Sequence, residues 1–180
     1  MRLLLILSLL LGGSAVAGPG HSHDDDGCQQ GPVAQFGRYI GDWRIHDETL
    51  SQQDGKTWSE GAGARWTFEC VGNGVAVQDH WMPLTGGYGT NLRTYNASTD
   101  RWEIVWAATQ LNGLQRISAR QNDAGEIVMS IDHPAPPQPR RIIFYPPDDS
   151  GWKWAMQWSL DEGKTWFDVY RIKATPWSDD

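Results

Sequence analysis

From Trp43 onward, turn-forming residues return roughly every ten positions, and the segments between them are rich in Val, Ile, Trp, Tyr, Phe and Thr. The breaks fall at Gly55, Gly72-Asn73-Gly74, Gly86-Gly87, Asn122 to Gly125, Pro146-Pro147-Asp148 and Asp161-Glu162-Gly163. They leave strands near 42–50, 57–70, 75–82, 89–96, 101–108, 114–121, 126–132, 139–146, 152–159 and 165–174. No connection is long enough for a crossover helix, so successive strands must run antiparallel. A meander of that length has two open edges unless it closes, and closure into a barrel removes both. The expected fold is all-β: one up-and-down antiparallel barrel of about nine to ten strands over residues 33–176, preceded by a short helical turn from Val33 to Ile40. A two-sheet sandwich competes with this arrangement, but it favours Greek-key crossings with some long connections.

The chain opens MRLLLILSLLLGGSAVAG. Arg2, the apolar run Leu3 to Leu11 and the small residues Ala15-Val16-Ala17 form the pattern of a secretory signal peptide. The run is well short of the ~20 residues that span a bilayer. Cleavage is expected after Ala17, since a cut after Gly18 would place Pro19 first. The product would be secreted or periplasmic. Residues 18–32, GPGHSHDDDGCQQGP, read as a disordered polar leader. Its His21, His23 and Asp24 to Asp26 lack fixed geometry, so a solvated tail is expected there rather than a metal site.

The 15 basic and 22 acidic side chains give −7, or −8 once Arg2 is removed. An acidic chain lacks the basic footprint of nucleic-acid binders, and an anionic membrane repels it, so neither is an expected partner. The two cysteines, Cys28 and Cys70, would meet an oxidising compartment after export. Paired, they would tie the N-terminal arm to a strand. Unpaired, one thiol sits in the arm and the other in the core.

All eleven Trp residues lie between Trp43 and Trp177. In TNLRTYNASTDRWEIVW, a four-residue turn at 97–100 sets Tyr95 opposite Trp102 and Arg93 opposite Ile104. Asn91, Arg93, Tyr95, Trp102, Ile104 and Trp106 therefore share the inward face. In VAVQDHWM the parity of Val75, Val77 and Trp81 places Asp79 inward as well, and in WKWAMQWS alternation puts Trp152, Trp154, Met156 and Trp158 on one face. A buried guanidinium needs an anion, and Asp79 is the candidate partner of Arg93. A few polar groups among aromatic walls is the make-up of a small-molecule site. The expected ligand is hydrophobic or amphipathic, and an anionic group on it would suit Arg93. Its expected contacts are Asp79, Trp81, Arg93, Tyr95, Trp102, Trp106, Trp154 and Trp158. Two alternatives stay open: an enzyme acting on a sugar or other small molecule, with Asp79 and Glu69 as acid and base, and a scaffold whose ion pair and indoles simply fill the core.

No Gly-x-Ser-x-Gly elbow, phosphate-binding glycine loop or His-Glu-x-x-His helix occurs. SLDEGKTW, residues 159–166, matches the Asp-box hairpin, and SQQDGKTW, residues 51–58, is a weaker copy with Gln53 in place of the aspartate. Two copies in one small domain do not make a propeller. Both read as braced turns without a catalytic role.

Gly41-Asp42-Trp43, opening the first strand after a helical turn, resembles the Gly-x-Trp signature of the lipocalins and the wider calycin superfamily. VAVQDHW, GTNLRTYNASTDRWEIVW and SLDEGKTW, in that order, look more closely like a bacterial lipocalin-like family of unknown function, over about residues 33–174. The resemblance implies a calycin barrel in which Trp43 plugs the closed end and Arg171, from the last strand, covers it. It implies no established activity. The Thr-Asp-Tyr signature and the C-terminal helix of lipocalins are absent. Haem is disfavoured, because RIHDETL rather than a Gly-rich run follows Trp43 and no histidine follows His133. No cofactor is expected.

Overall fold

The computed structural model describes residues 25–178. The expected signal peptide and the first part of the leader lie outside the described residues. Two 3-10 turns, Asp25–Gln29 and Gly31–Val33, lead into a single helical turn α1 (Ala34–Gly37). Eleven strands follow: β1 (Gly41–Leu50), β2 (Trp58–Glu60), β3 (Ala64–Val71), β4 (Ala76–Pro83), β5 (Gly89–Asn96), β6 (Arg101–Ala108), β7 (Gln115–Gln121), β8 (Ile127–His133), β9 (Arg140–Phe144), β10 (Trp152–Trp158) and β11 (Phe167–Pro176). From β3 to β11 each strand pairs with the next, β1 pairs with β3, and β11 returns to β1. Ten strands thus close an antiparallel barrel, and short β2 extends the end of β1.

The segment 57–70, expected as one strand, is two. Pairing along β1 jumps from Glu48↔Glu60 to Ile45↔Ala64. Between them the Gly61 N–H donates to the Asp47 carbonyl and the Gly63 N–H to Asp47 Oδ1, each at 2.8 Å. Gly63 sits at φ +80°, where a side chain would be strained. The break resets the parity of β3, so Ala64, Trp66, Phe68 and Cys70 all face inward.

The N-terminal turns plug one end of the barrel. Phe36 and Tyr39 are fully buried. Phe36 meets Trp102 edge-on at 4.8 Å and Phe144 at 5.4 Å, and Tyr39 meets Trp152 at 5.3 Å. The Trp102 indole N–H donates to Gln35 Oε1 at 2.9 Å, so the plug itself supplies the polar partner that a buried Trp needs. Cys28, fully buried, is disulfide-bonded to Cys70 of β3. The leader reading is therefore corrected from Asp25 onward: the covalent tie and the apolar Val33, Phe36 and Tyr39 hold this arm to the barrel.

Trp43 lies at the same end. Its indole N–H donates to the Tyr39 carbonyl at 2.8 Å, and its ring meets Trp152 at 5.8 Å. Arg171 does not cover it. Buried Ile172 fixes the inward parity of β11, so Arg171 points out. Register also separates them, for Trp43 faces Pro176 whereas Arg171 faces Glu48. Arg171 instead lies 4.0 Å over the Trp58 ring and donates to Asp168 at 2.8 Å.

Burial pushes the Tyr39 phenol from 10.0 up to about 12, only partly opposed by the charge of Arg38. Its hydroxyl donates to the Tyr145 carbonyl at 2.9 Å. A folded-state value above the unfolded one gives stability that is full below pH 10 and is lost as pH rises through about 12. Two units correspond to about 2–3 kcal/mol. Urea midpoints measured across that window should fall steeply in the wild type and less steeply in Tyr39→Phe. Tyr170, also pushed up by burial and by Asp47, supplies part of the remaining slope.

Candidate functional site

Beyond the plug the barrel holds a cavity of about 290 Å³. Trp66, Trp81, Trp106 and Trp154 form its aromatic walls, with Ile117, Met129, Ile131, Ile142, Phe144, Met156 and Ile172 between them. Trp66 and Trp81, directly opposite on β3 and β4, meet edge-on at 5.0 Å. Gly89 of β5 makes room for Trp106, since a Cβ there would lie 2.1 Å from the indole ring. The polar lining is Asn91, Arg93, Gln115 and Tyr170.

Arg93 and Asp79 pair as their shared parity requires, and both side chains are wholly buried. Arg93 Nη2 donates to Asp79 Oδ2. The backbone N–H of Asn91 donates to Asp79 Oδ1 at 2.9 Å, and its side-chain amide donates to Oδ1 and Oδ2 at 3.2 and 3.0 Å. Both carboxylate oxygens are thus engaged. The guanidinium carbon lies 4.8 Å from the Phe36 ring of the plug and 5.2 Å from Phe68 of β3, so two aromatic faces support the charge. Among the described residues, Arg93 Nε and Nη1 have no hydrogen-bond partner, nor does Trp66 Nε1. Buried donors are ordinarily satisfied, and these three belong to side chains that line the cavity.

Of the eight expected contacts, Trp81, Arg93, Trp106 and Trp154 line the cavity, and Asp79 lies behind Arg93 without lining it. Tyr95 and Trp102 have the expected inward parity but stand too near the closed end. Trp102 is packed into the plug, and the Tyr95 hydroxyl turns to Asp100 in the adjoining hairpin. Trp158 lies one pleat beyond the lining residue Met156, opposite Arg140, whose guanidinium sits 5.6 Å above its ring. Glu69 is not near Asp79: it is exposed on the outer face and contacts His80 at 3.0 Å. The acid–base pair considered from the sequence is divided by the barrel wall. Trp66, the wall residue with an unpaired indole N–H that the sequence did not single out, becomes legible once the strand break at Gly61–Gly63 is seen.

The two KTW hairpins brace turns at the open end. Ser159 Oγ accepts from the Gly163 N–H at 2.7 Å, and Asp161 accepts from the backbone and hydroxyl of Thr165, both at 2.7 Å. Those bonds hold the Asp161 carboxyl down at about 2. In the 51–58 copy, Asp54 takes the part expected of position 53, accepting from Lys56 and Thr57. Trp166 packs outward under Arg141 at 4.5 Å. Neither hairpin contributes to the cavity lining.

A larger recess of about 1000 Å³ runs along β1, β10 and β11. Its polar border of His46, Glu48, Lys153, Arg171 and Lys173 is exposed to water. Ions already solvated there offer a small apolar molecule far less than the aromatic-walled cavity does.

No family model matches the chain, and no curated protein matches it. Among solved structures, Rv2717c from M. tuberculosis aligns with a TM-score of 0.53 at 11% identity, over 83% of this chain and 99% of that one. At that identity the likeness establishes a shared barrel architecture alone.

Proposed function

We propose that this chain is an exported, lipocalin-like binding protein that encloses a small hydrophobic or amphipathic molecule in the barrel. The observation that carries the reading is a wholly buried guanidinium with two unpaired donor nitrogens at an aromatic-walled cavity. Leaving a buried donor unpaired costs about 1–3 kcal/mol, and a ligand acceptor would recover that. The volume, near 290 Å³, lies at the small end of ligand pockets. Gly41-Asp42-Trp43 supports a calycin relationship, and the Cys28–Cys70 disulfide supports an oxidising compartment.

Four wall indoles make the intrinsic fluorescence a direct reporter. Titration with a panel of fatty acids, aromatic acids and their neutral analogues, and sugars should shift it saturably for at least one class. Ile131→Trp fills the cavity from a half-buried wall position and should abolish that response while circular dichroism stays unchanged. A saturable response surviving in Ile131→Trp would move binding elsewhere. Export is tested by intact mass of the protein from its own host, which should begin at Gly18.

A further inference from the structure

The cavity's charge is already balanced, which bears on what its free donors can accept. Among the described residues, Arg93 is the only formally charged side chain in the lining, and Asp79 neutralises it from behind. A second carboxylate, Asp47, lies on the inward face of β1 opposite the lining residue Ile172 and accepts from the Tyr170 hydroxyl at 2.7 Å. Arg140 of β9 shares the inward parity of the lining residue Ile142, but it lies one pleat beyond it and stacks on Trp158. A carboxylate ligand would shed its water to join a guanidinium that already has its counter-ion, leaving the enclosed set with one net negative charge. Desolvating an ion without a free counter-charge is costly.

The hydrogen-bonding pattern points the same way. Arg93 Nε, Arg93 Nη1 and Trp66 Nε1 offer N–H donors from β5 and β3, on either side of β4. Asn91 turns its amide nitrogen to the two Asp79 oxygens, which can only accept, so the acceptor it can offer a ligand is its carbonyl oxygen. Donors for a carbonyl beside an acceptor for an N–H match a carboxamide or lactam. Planar walls of four indoles match a flat ring system.

Resting on the binding reading above, we infer that the cavity selects a flat aromatic carboxamide or lactam over the carboxylate of the same skeleton. The test is calorimetric titration of the disulfide-bonded protein with 2-naphthamide, methyl 2-naphthoate, 2-naphthoate and naphthalene at neutral pH. The amide should bind at least about tenfold tighter than the carboxylate, with the ester between them. Trp66→Phe retains an aromatic wall and removes one donor. It should weaken the amide by about fivefold and leave naphthalene unchanged. A carboxylate bound as tightly as the amide, or tighter, overturns the neutral-ligand inference and leaves the binding cavity standing. Equal losses for amide and naphthalene in Trp66→Phe overturn the role of the indole donor. The absence of binding by all four compounds, with no change in intrinsic fluorescence, overturns the cavity reading itself.

Discussion

Asp79→Asn should destabilise the fold by about 3–5 kcal/mol, because it strands a buried guanidinium without its counter-ion. Arg93 touches no bulk water where it stands, since its side chain is 0% exposed. The rings of Phe36 and Phe68 stabilise the cation but cannot accept a full hydrogen bond in the plane of the guanidinium. Asn91 would also lose a carboxylate that takes three of its N–H bonds. The double variant Asp79→Leu/Arg93→Met removes both charges together and should recover part of the loss. Urea midpoints of the wild type, both single variants and the double variant form a cycle that isolates the pair. If Asp79→Asn costs less than about 1 kcal/mol, the guanidinium has found water or another partner, and the closed cavity floor is refuted.

Breaking the Cys28–Cys70 link should cost nearly as much. The chain-entropy relation gives about 3–4 kcal/mol for a 42-residue separation. For a domain of this size that lowers Tm by about 6–16 °C. The loss should be the same in Cys28→Ser/Cys70→Ser and in the wild type under reductant, as read by calorimetry. The local consequence is as specific as the global one. The bond anchors the arm that carries Gln35, Phe36 and Tyr39 into the closed end, so its loss should first expose the Trp102 indole, whose N–H rests on Gln35. Hydrogen exchange at residues 28–40 should accelerate before exchange in β5 and β6 does. An unchanged Tm on reduction would mean that aromatic packing alone holds the plug.

The hairpin from Gly89 to Ala108 is legible residue by residue. A four-residue turn and strict alternation suffice to set Arg93 opposite Ile104 and Tyr95 opposite Trp102, and the structure has that register. Parity also finds Asp79 for Arg93, since β4 has no bulge against β5 to disturb it. What parity lacks is depth. It places Tyr95, Trp102 and Trp158 on the inward face but does not say how far along the barrel axis each stands. The plug and the mouth claim those three. Nor does alternation reveal a break between strands that still read as β-formers. Trp66 is hidden for that reason, because its face depends on Asp47 capturing Gly61 and Gly63.

Arg171 illustrates the same division. A resemblance can suggest which residue should cover Trp43, but the side of the sheet it faces depends on pleat and register. The parity set by Ile172 turns Arg171 to water.

Local chemistry in the chain determined the strands, their antiparallel order and the faces their side chains take, because these derive from a two-residue period and connections too short to cross over. Only the folded barrel decided where the lumen is full and where it is empty. That outcome depends on how the N-terminal plug fills one end, and contacts between residues distant in sequence leave no periodic trace in the chain.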